Sequence, residues 1–130
     1  DLKVIEFLKR SETYEKHLQC YNKIDIALDT IPYNGATTSF ESIWMGVPVL
    51  TTIGNSFTSR YGYSINKNLN LNDFIAKNNE DLLNKALNIT SKIDELSKLR
   101  NNLRSIALKS PLFDTVKFNN DFSNLIRQIT

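Results

Sequence analysis

Apolar positions change rhythm along this chain. In the first half they come in short runs separated by turn residues; in the second half they recur every three to four positions. Val4, Ile5 and Phe7 read as a short strand over residues 4–7. Ser11 is placed to cap a helix over residues 12–21, with Tyr14, Leu18 and Tyr21 on one face. The run Ile24-Asp25-Ile26-Ala27-Leu28-Asp29 predicts a second strand, and Pro32 with Asn34-Gly35 predicts a loop after it. Thr37 or Thr38 then opens a helix carrying Phe40, Ile43, Trp44 and Met45. Gly46 ends it as a left-handed cap, and Pro48 prevents its continuation. Residues 47–52 read as a buried strand, Gly54-Asn55 as a turn, and residues 58–67 as another helix. Strands alternating with helices in this way predict a parallel sheet covered on both faces.

The second half predicts helices only. Leu82, Leu83, Ala86, Leu87 and Ile89 give one over residues 79–90. Leu96, Leu99, Leu103, Ile106 and Ala107 give the next over 93–109, and Pro111 interrupts. Val116, Phe118, Phe122, Leu125, Ile126 and Ile129 give a third over 115–129. All three have polar outer faces. No repeat, linker or low-complexity tract divides the chain, so residues 1–130 are expected to form a single α/β domain with a helical C-terminal segment.

Composition changes this picture little. At 41% hydrophobic and 23% charged the chain is an ordinary globular domain, and a net charge of +2 with scattered lysines gives no basic face for nucleic acid or a membrane surface. No apolar run approaches the roughly 20 residues that span a bilayer. Cys20 is the one cysteine, and no internal disulfide can form. His17 lies three residues before it, but a plain half-buried thiol is the simpler expectation. The chain starts at Asp1 and enters the first apolar run almost at once, which suggests a segment of a longer protein.

The candidate chemistry lies between Leu28 and Val49, in LDTIPYNGATTSFESIWMGVPV. Amides in the first turn of a helix lack internal partners, and the helix dipole adds positive potential there. Gly35 lets an anion approach the backbone, and Thr37 and Thr38 add hydroxyl donors, so a phosphate or diphosphate can be held without a lysine. Glu41 lies one turn beyond Thr37 on the same face, where its carboxylate can accept hydrogen bonds from ribose hydroxyls. Diphosphate with ribose means a nucleotide, bound beyond the carboxyl end of a parallel strand. The same residues also meet the needs of a plain helix cap with an acidic dipole partner. The stretch contains neither GxGxxG nor GxxxxGK[ST].

YNKIDIALDTIPYNGATTSFESIWMGVPVLT closely resembles the donor-binding segment of the O-linked N-acetylglucosamine transferase catalytic domain family, which includes SPINDLY-type and bacterial tetratricopeptide-repeat proteins. Residues 4–7, Ser59-Arg60 and the turn Ser110-Pro111-Leu112-Phe113-Asp114 extend the resemblance over nearly the whole chain. It implies a Rossmann-like part of the C-terminal lobe of a two-lobed GT-B enzyme. It also implies that Thr37 and Thr38 contact a donor diphosphate, Glu41 the ribose, and His17 the nucleotide near uracil and ribose. Ala36 stands where eukaryotic members carry a diphosphate-contacting histidine, and Glu41 where they carry aspartate. That leaves more of the task to Gly35, Ala36 and the neighbouring amides.

Asp29 and Asn34 are expected to shape the loop, Trp44 to join the core, and Arg60 to pair with a carboxylate rather than a phosphate. Tyr33 could face the cleft. The reading that follows is the donor-binding portion of an inverting transferase moving N-acetylglucosamine from UDP to Ser or Thr of a polypeptide, in a bacterial, cytoplasmic setting. The resemblance puts the catalytic base and a diphosphate-contacting lysine in other parts of the enzyme, so no catalytic residue is expected here. With no Asp-x-Asp motif, no metal or other cofactor is expected either. Another GT-B transferase, a GDP-fucose enzyme of SPINDLY type and a non-catalytic module that kept the fold are the alternatives.

Overall fold

The structure is a computed structural model that describes residues 4–129. Its elements are α1 (Tyr14–Gln19), β1 (Ala27–Leu28), α2 (Thr37–Trp44), β2 (Val49–Thr52), α3 (Tyr61–Asn68), β3 (Ile75–Ala76), α4 (Asn79–Thr90), α5 (Ile93–Leu108) and α6 (Thr115–Ile129). Short 3₁₀ turns join several of them.

The three strands form a parallel sheet in the order β1-β2-β3. Ala27 lies opposite Val49 and Leu28 opposite Leu50, while Thr51 lies opposite Ile75 and Thr52 opposite Ala76. Successive residues of a strand point to opposite faces. Val49, Leu50 and Thr51 are all buried, so both faces of β2 are covered, as a parallel sheet requires. Leu96, Leu103 and Ala107 of α5 join Ile43 of α2 and Ile65 of α3 in the same core.

Helices whose pattern is local form close to where the sequence puts them, and α4 and α6 begin and end at the expected residues. Asn78 caps α4 by accepting from the Asp81 amide at 2.8 Å. The end of α2 also follows the sequence. Gly46 has φ +77°, and a Cβ there would lie 2.9 Å from the Arg100 carbonyl oxygen, so both backbone angle and space demand glycine.

Several expectations are corrected. Residues 4–7 form no strand; no strand among the described residues pairs with them, and Val4 and Phe7 are exposed. The cap of α1 is Thr13, which accepts from the Lys16 amide, and not Ser11; the helix gives way to a 3₁₀ turn at Cys20–Lys23. The strand expected over residues 24–29 narrows to Ala27–Leu28, and that over 47–52 to Val49–Thr52. The helix expected over 58–67 divides into a 3₁₀ turn at Phe57–Ser59 and α3. β3 has no counterpart in the sequence reading. The buried Asn66 amide fixes it beside β2 by donating to both the Val49 carbonyl at 2.8 Å and the Phe74 carbonyl at 3.0 Å.

Candidate functional site

The loop that follows β1 is built on one carboxylate. Asp29 Oδ1 accepts the Thr30 amide at 2.9 Å and the Gly35 amide at 2.8 Å, while Oδ2 accepts the Thr51 hydroxyl at 2.7 Å. The loop is thereby closed on itself and tied to β2. Gly62, at the start of α3, leaves room for this arrangement, because a Cβ there would lie 2.3 Å from Asp29 Oδ2. Asn34 is fully buried; its side-chain amide donates to the Thr30 carbonyl at 3.0 Å, and its backbone amide to that of Thr58 at 3.0 Å. Both residues shape the loop, as Asp and Asn in turns are expected to.

The loop delivers Gly35, Ala36, Thr37 and Thr38 to the start of α2. Ala36 is the residue before the helix and contributes no side-chain cap. Neither threonine caps the helix. The amides of residues 36–39 have no acceptor among the described residues, and Ala36, Thr37 and Thr38 are exposed. Unpaired first-turn amides with two hydroxyls beside them can receive an anion. The space beside Gly35 is narrower than its lack of a side chain suggests. Thr38 Oγ1 lies 2.6 Å and Ser39 Oγ 2.9 Å from where a Cβ would stand, and Ser39 donates to the Gly35 carbonyl at 2.9 Å.

Glu41, one turn on, is the centre of a second cluster. Its Oε1 accepts from the Tyr14 hydroxyl at 3.1 Å; its Oε2 lies 3.1 Å from His17 Nε2 and 3.4 Å from the Tyr21 hydroxyl. Tyr21 also donates to the Thr38 carbonyl at 3.2 Å, joining the carboxylate to the first turn of α2. The His17 ring stacks on Tyr14 and meets Tyr21 edge-on. Burial and the Glu41 carboxylate push the Tyr21 hydroxyl up to about 12. The hydrogen bond to Glu41 raises the Tyr14 hydroxyl as well.

Two hollows flank this part of α2. A cleft of about 500 Å³ is lined by Tyr14, Thr37, Phe40, Glu41, Trp44 and Phe113 among others, so Thr37 and Glu41 do share a face. A slot of about 130 Å³ on the other side is lined by Tyr21, Asp29, Gly35 and Thr38 among others.

The structure brings His17, Gly35, Ala36, Thr37, Thr38 and Glu41 to one end of α2. Sequence reasoning missed Tyr14 and Tyr21 as partners of Glu41. Their spacing with His17 puts all three on one side of the chain, but not what that side meets. Arg60 forms no ion pair among the described residues; its guanidinium lies 5.2 Å from the Tyr63 ring centre, so the expected carboxylate pairing is replaced by a cation–π contact. Trp44 is half-buried, sandwiched by Phe113 and the Arg104 guanidinium, 3.7 Å from its centroid. Cys20 is half-buried beside the Lys16 carbonyl, while His17 turns to Glu41. Tyr33 is exposed and packs edge-on to Tyr61. Among the described residues no helix is long and apolar enough to cross a membrane.

A parallel α/β sheet with unpaired amides at a helix start beyond its first strand is the arrangement at which open α/β folds hold ligands. The chain belongs to glycosyl transferase family 41, whose family model matches residues 6–122. It is 38% identical over 113 residues to the tomato protein described as a probable UDP-N-acetylglucosamine–peptide N-acetylglucosaminyltransferase SPINDLY, and 40% identical over 113 residues to that of Eustoma exaltatum. To the Caenorhabditis elegans UDP-N-acetylglucosamine–peptide N-acetylglucosaminyltransferase it is 28% identical over 115 residues. These matches cover 87–88% of the chain but 10–12% of the relatives, so the chain spans about an eighth or less of their length. A solved mutant of the Thermobaculum terrenum O-GlcNAc transferase superposes with a TM-score of 0.76 at 32% identity, covering 89% of this chain and 23% of that one.

Proposed function

We propose that this chain is the nucleotide-sugar-binding portion of the C-terminal lobe of a larger transferase that moves N-acetylglucosamine from UDP to Ser or Thr of a polypeptide. The observation that carries the reading is the clustering at α2. Unpaired amides and two threonine hydroxyls stand at the helix start, and one turn later a carboxylate is held in place by His17. The membership in glycosyl transferase family 41 and the activities for which the relatives are named support it.

In this reading the amides of residues 36–39 with Thr37 and Thr38 receive the diphosphate. They stabilise the charge that develops on it as the glycosidic bond breaks, which is where preorganised donors help most. Glu41 accepts from the ribose, and His17 lies against the nucleoside. The base for the acceptor hydroxyl comes from another part of the enzyme. No metal is assigned a step. The setting is a cytoplasmic one.

Titration calorimetry of the full-length protein with UDP-N-acetylglucosamine, GDP-fucose and ADP-glucose tests this. Binding of the UDP-sugar at least tenfold tighter than of the others supports the assignment. Preference for GDP-fucose transfers the site to a fucosyl donor, and binding of ADP-glucose alone overturns the choice of enzyme class. Binding of none of them makes the chain a non-catalytic module.

A further inference from the structure

An ionised carboxylate offers about four acceptor positions, two on each oxygen. On Glu41, His17 Nε2 and the Tyr21 hydroxyl both approach Oε2, at 3.1 and 3.4 Å, whereas Tyr14 alone approaches Oε1, at 3.1 Å. With the carboxylate as acceptor, Nε2 carries the hydrogen. The Tyr21 hydroxyl has a single hydrogen, shared between Oε2 and the Thr38 carbonyl, but its oxygen occupies the second side of Oε2. Oε2 is thereby closed from the protein side, and Oε1 has one position left.

A ribose brings two neighbouring hydroxyls. One can join Tyr14 on Oε1; both together need the position that Tyr14 holds. The two tyrosines are not equivalent in what holds them. Tyr14 is 60% exposed and has Glu41 as its hydroxyl partner, on the open cleft that both residues line. Tyr21 is half-buried, and its hydroxyl is also bonded to the Thr38 carbonyl at 3.2 Å.

We infer that Tyr14 and Tyr21 play opposite parts on Glu41: Tyr21 is a positioning residue that fixes the carboxylate against the diphosphate turn, and Tyr14 is an exchangeable cap that a ribose diol displaces from Oε1. This rests on the proposed role of Glu41. Tyr14 thereby sets a threshold: a ligand with both hydroxyls displaces it, while a ligand with one shares Oε1 with it.

The test uses the full-length protein and its Tyr14→Phe and Tyr21→Phe variants, titrated with UDP and 2′-deoxy-UDP, and with GDP and 2′-deoxy-GDP in parallel. Removing a competing hydrogen bond changes affinity by a small factor. Tyr14→Phe is expected to bind the ribonucleotide about threefold more tightly with little change for the deoxy form, so the preference for ribose rises. Tyr21→Phe is expected to bind the ribonucleotide about fivefold more weakly and to lose much of that preference. A thermal melt checks that each variant is folded, and the ribose preference is a ratio that a general loss of stability does not move. If Tyr14→Phe weakens binding, or both variants leave the ratio unchanged, the division of roles is wrong although the nucleotide site stands. If the unsubstituted protein binds none of the four nucleotides, the proposed function fails and this inference with it.

Discussion

Asp29 Oδ1 accepts the Gly35 amide, six positions further along the chain, at 2.8 Å. This contact decides where α2 begins, because Gly35 immediately precedes the residues that present their amides at the helix start. The Gly35 amide itself is consequently not available to a ligand.

Asp29→Ala leaves the Thr30 and Gly35 amides and the Thr51 hydroxyl without their acceptor. Losing hydrogen bonds to a charged group costs about 2–3 kcal/mol. The expected result in denaturant unfolding is a loss of that size, with nucleotide affinity falling as well. Unchanged stability would show that the loop is held by its other contacts.

Gly62→Ala tests the same hub from the opposite side. Its Cβ would lie 2.3 Å from Asp29 Oδ2 and 2.4 Å from Thr51 Oγ1, in a buried place. Overpacking of this kind costs about 1–3 kcal/mol. A lowered melting temperature is expected, and a neutral variant would mean that α3 can move away from the sheet.

Asn66→Ala removes the amide that holds β2 and the turn before β3 together. Two buried carbonyls lose their donor, so a loss of about 2–4 kcal/mol is expected in chemical denaturation. A loss below 1 kcal/mol would contradict the bridging role.

The tyrosines give a pH signature. Tyr21 is raised to about 12, whereas an unfolded tyrosine titrates near 10. Between those values the unfolded chain has released a proton that the folded chain keeps. The contribution of Tyr21 to stability is thus complete below pH 10 and is lost as pH rises through about 12. Phenolate absorbance should show Tyr21 titrating near 12 with Tyr14 also above the ordinary tyrosine range, and Tyr21→Phe should remove the step near 12. Its persistence in the variant would assign it elsewhere.

Much of this was legible in the sequence wherever the cause is local. The periodicity of α4 and α6 places them without help from the rest of the chain, and Gly46 with Pro48 marks the end of α2 by backbone angle alone. Thr37 and Glu41 are put on one face by helix geometry. What escaped is set by distant partners. Residues 4–7 have strand composition but no partner strand among those described. β3 is a two-residue strand that exists because β2 lies beside it and Asn66 holds it there. Ser11 has the side chain of a cap, but α1 begins at Tyr14, so Thr13 takes that place. Tyr14 and Tyr21 became site residues only when α1 was seen against α2.

The central claim is that the start of α2 and Glu41 bind a nucleoside diphosphate. The most direct measurement is an amide NMR titration of the chain with UDP. Shifts concentrated at Thr37, Thr38, Glu41 and His17, absent with uridine at Thr37 and Thr38, are the predicted result. Shifts confined to other surfaces, or none at millimolar UDP, would contradict it.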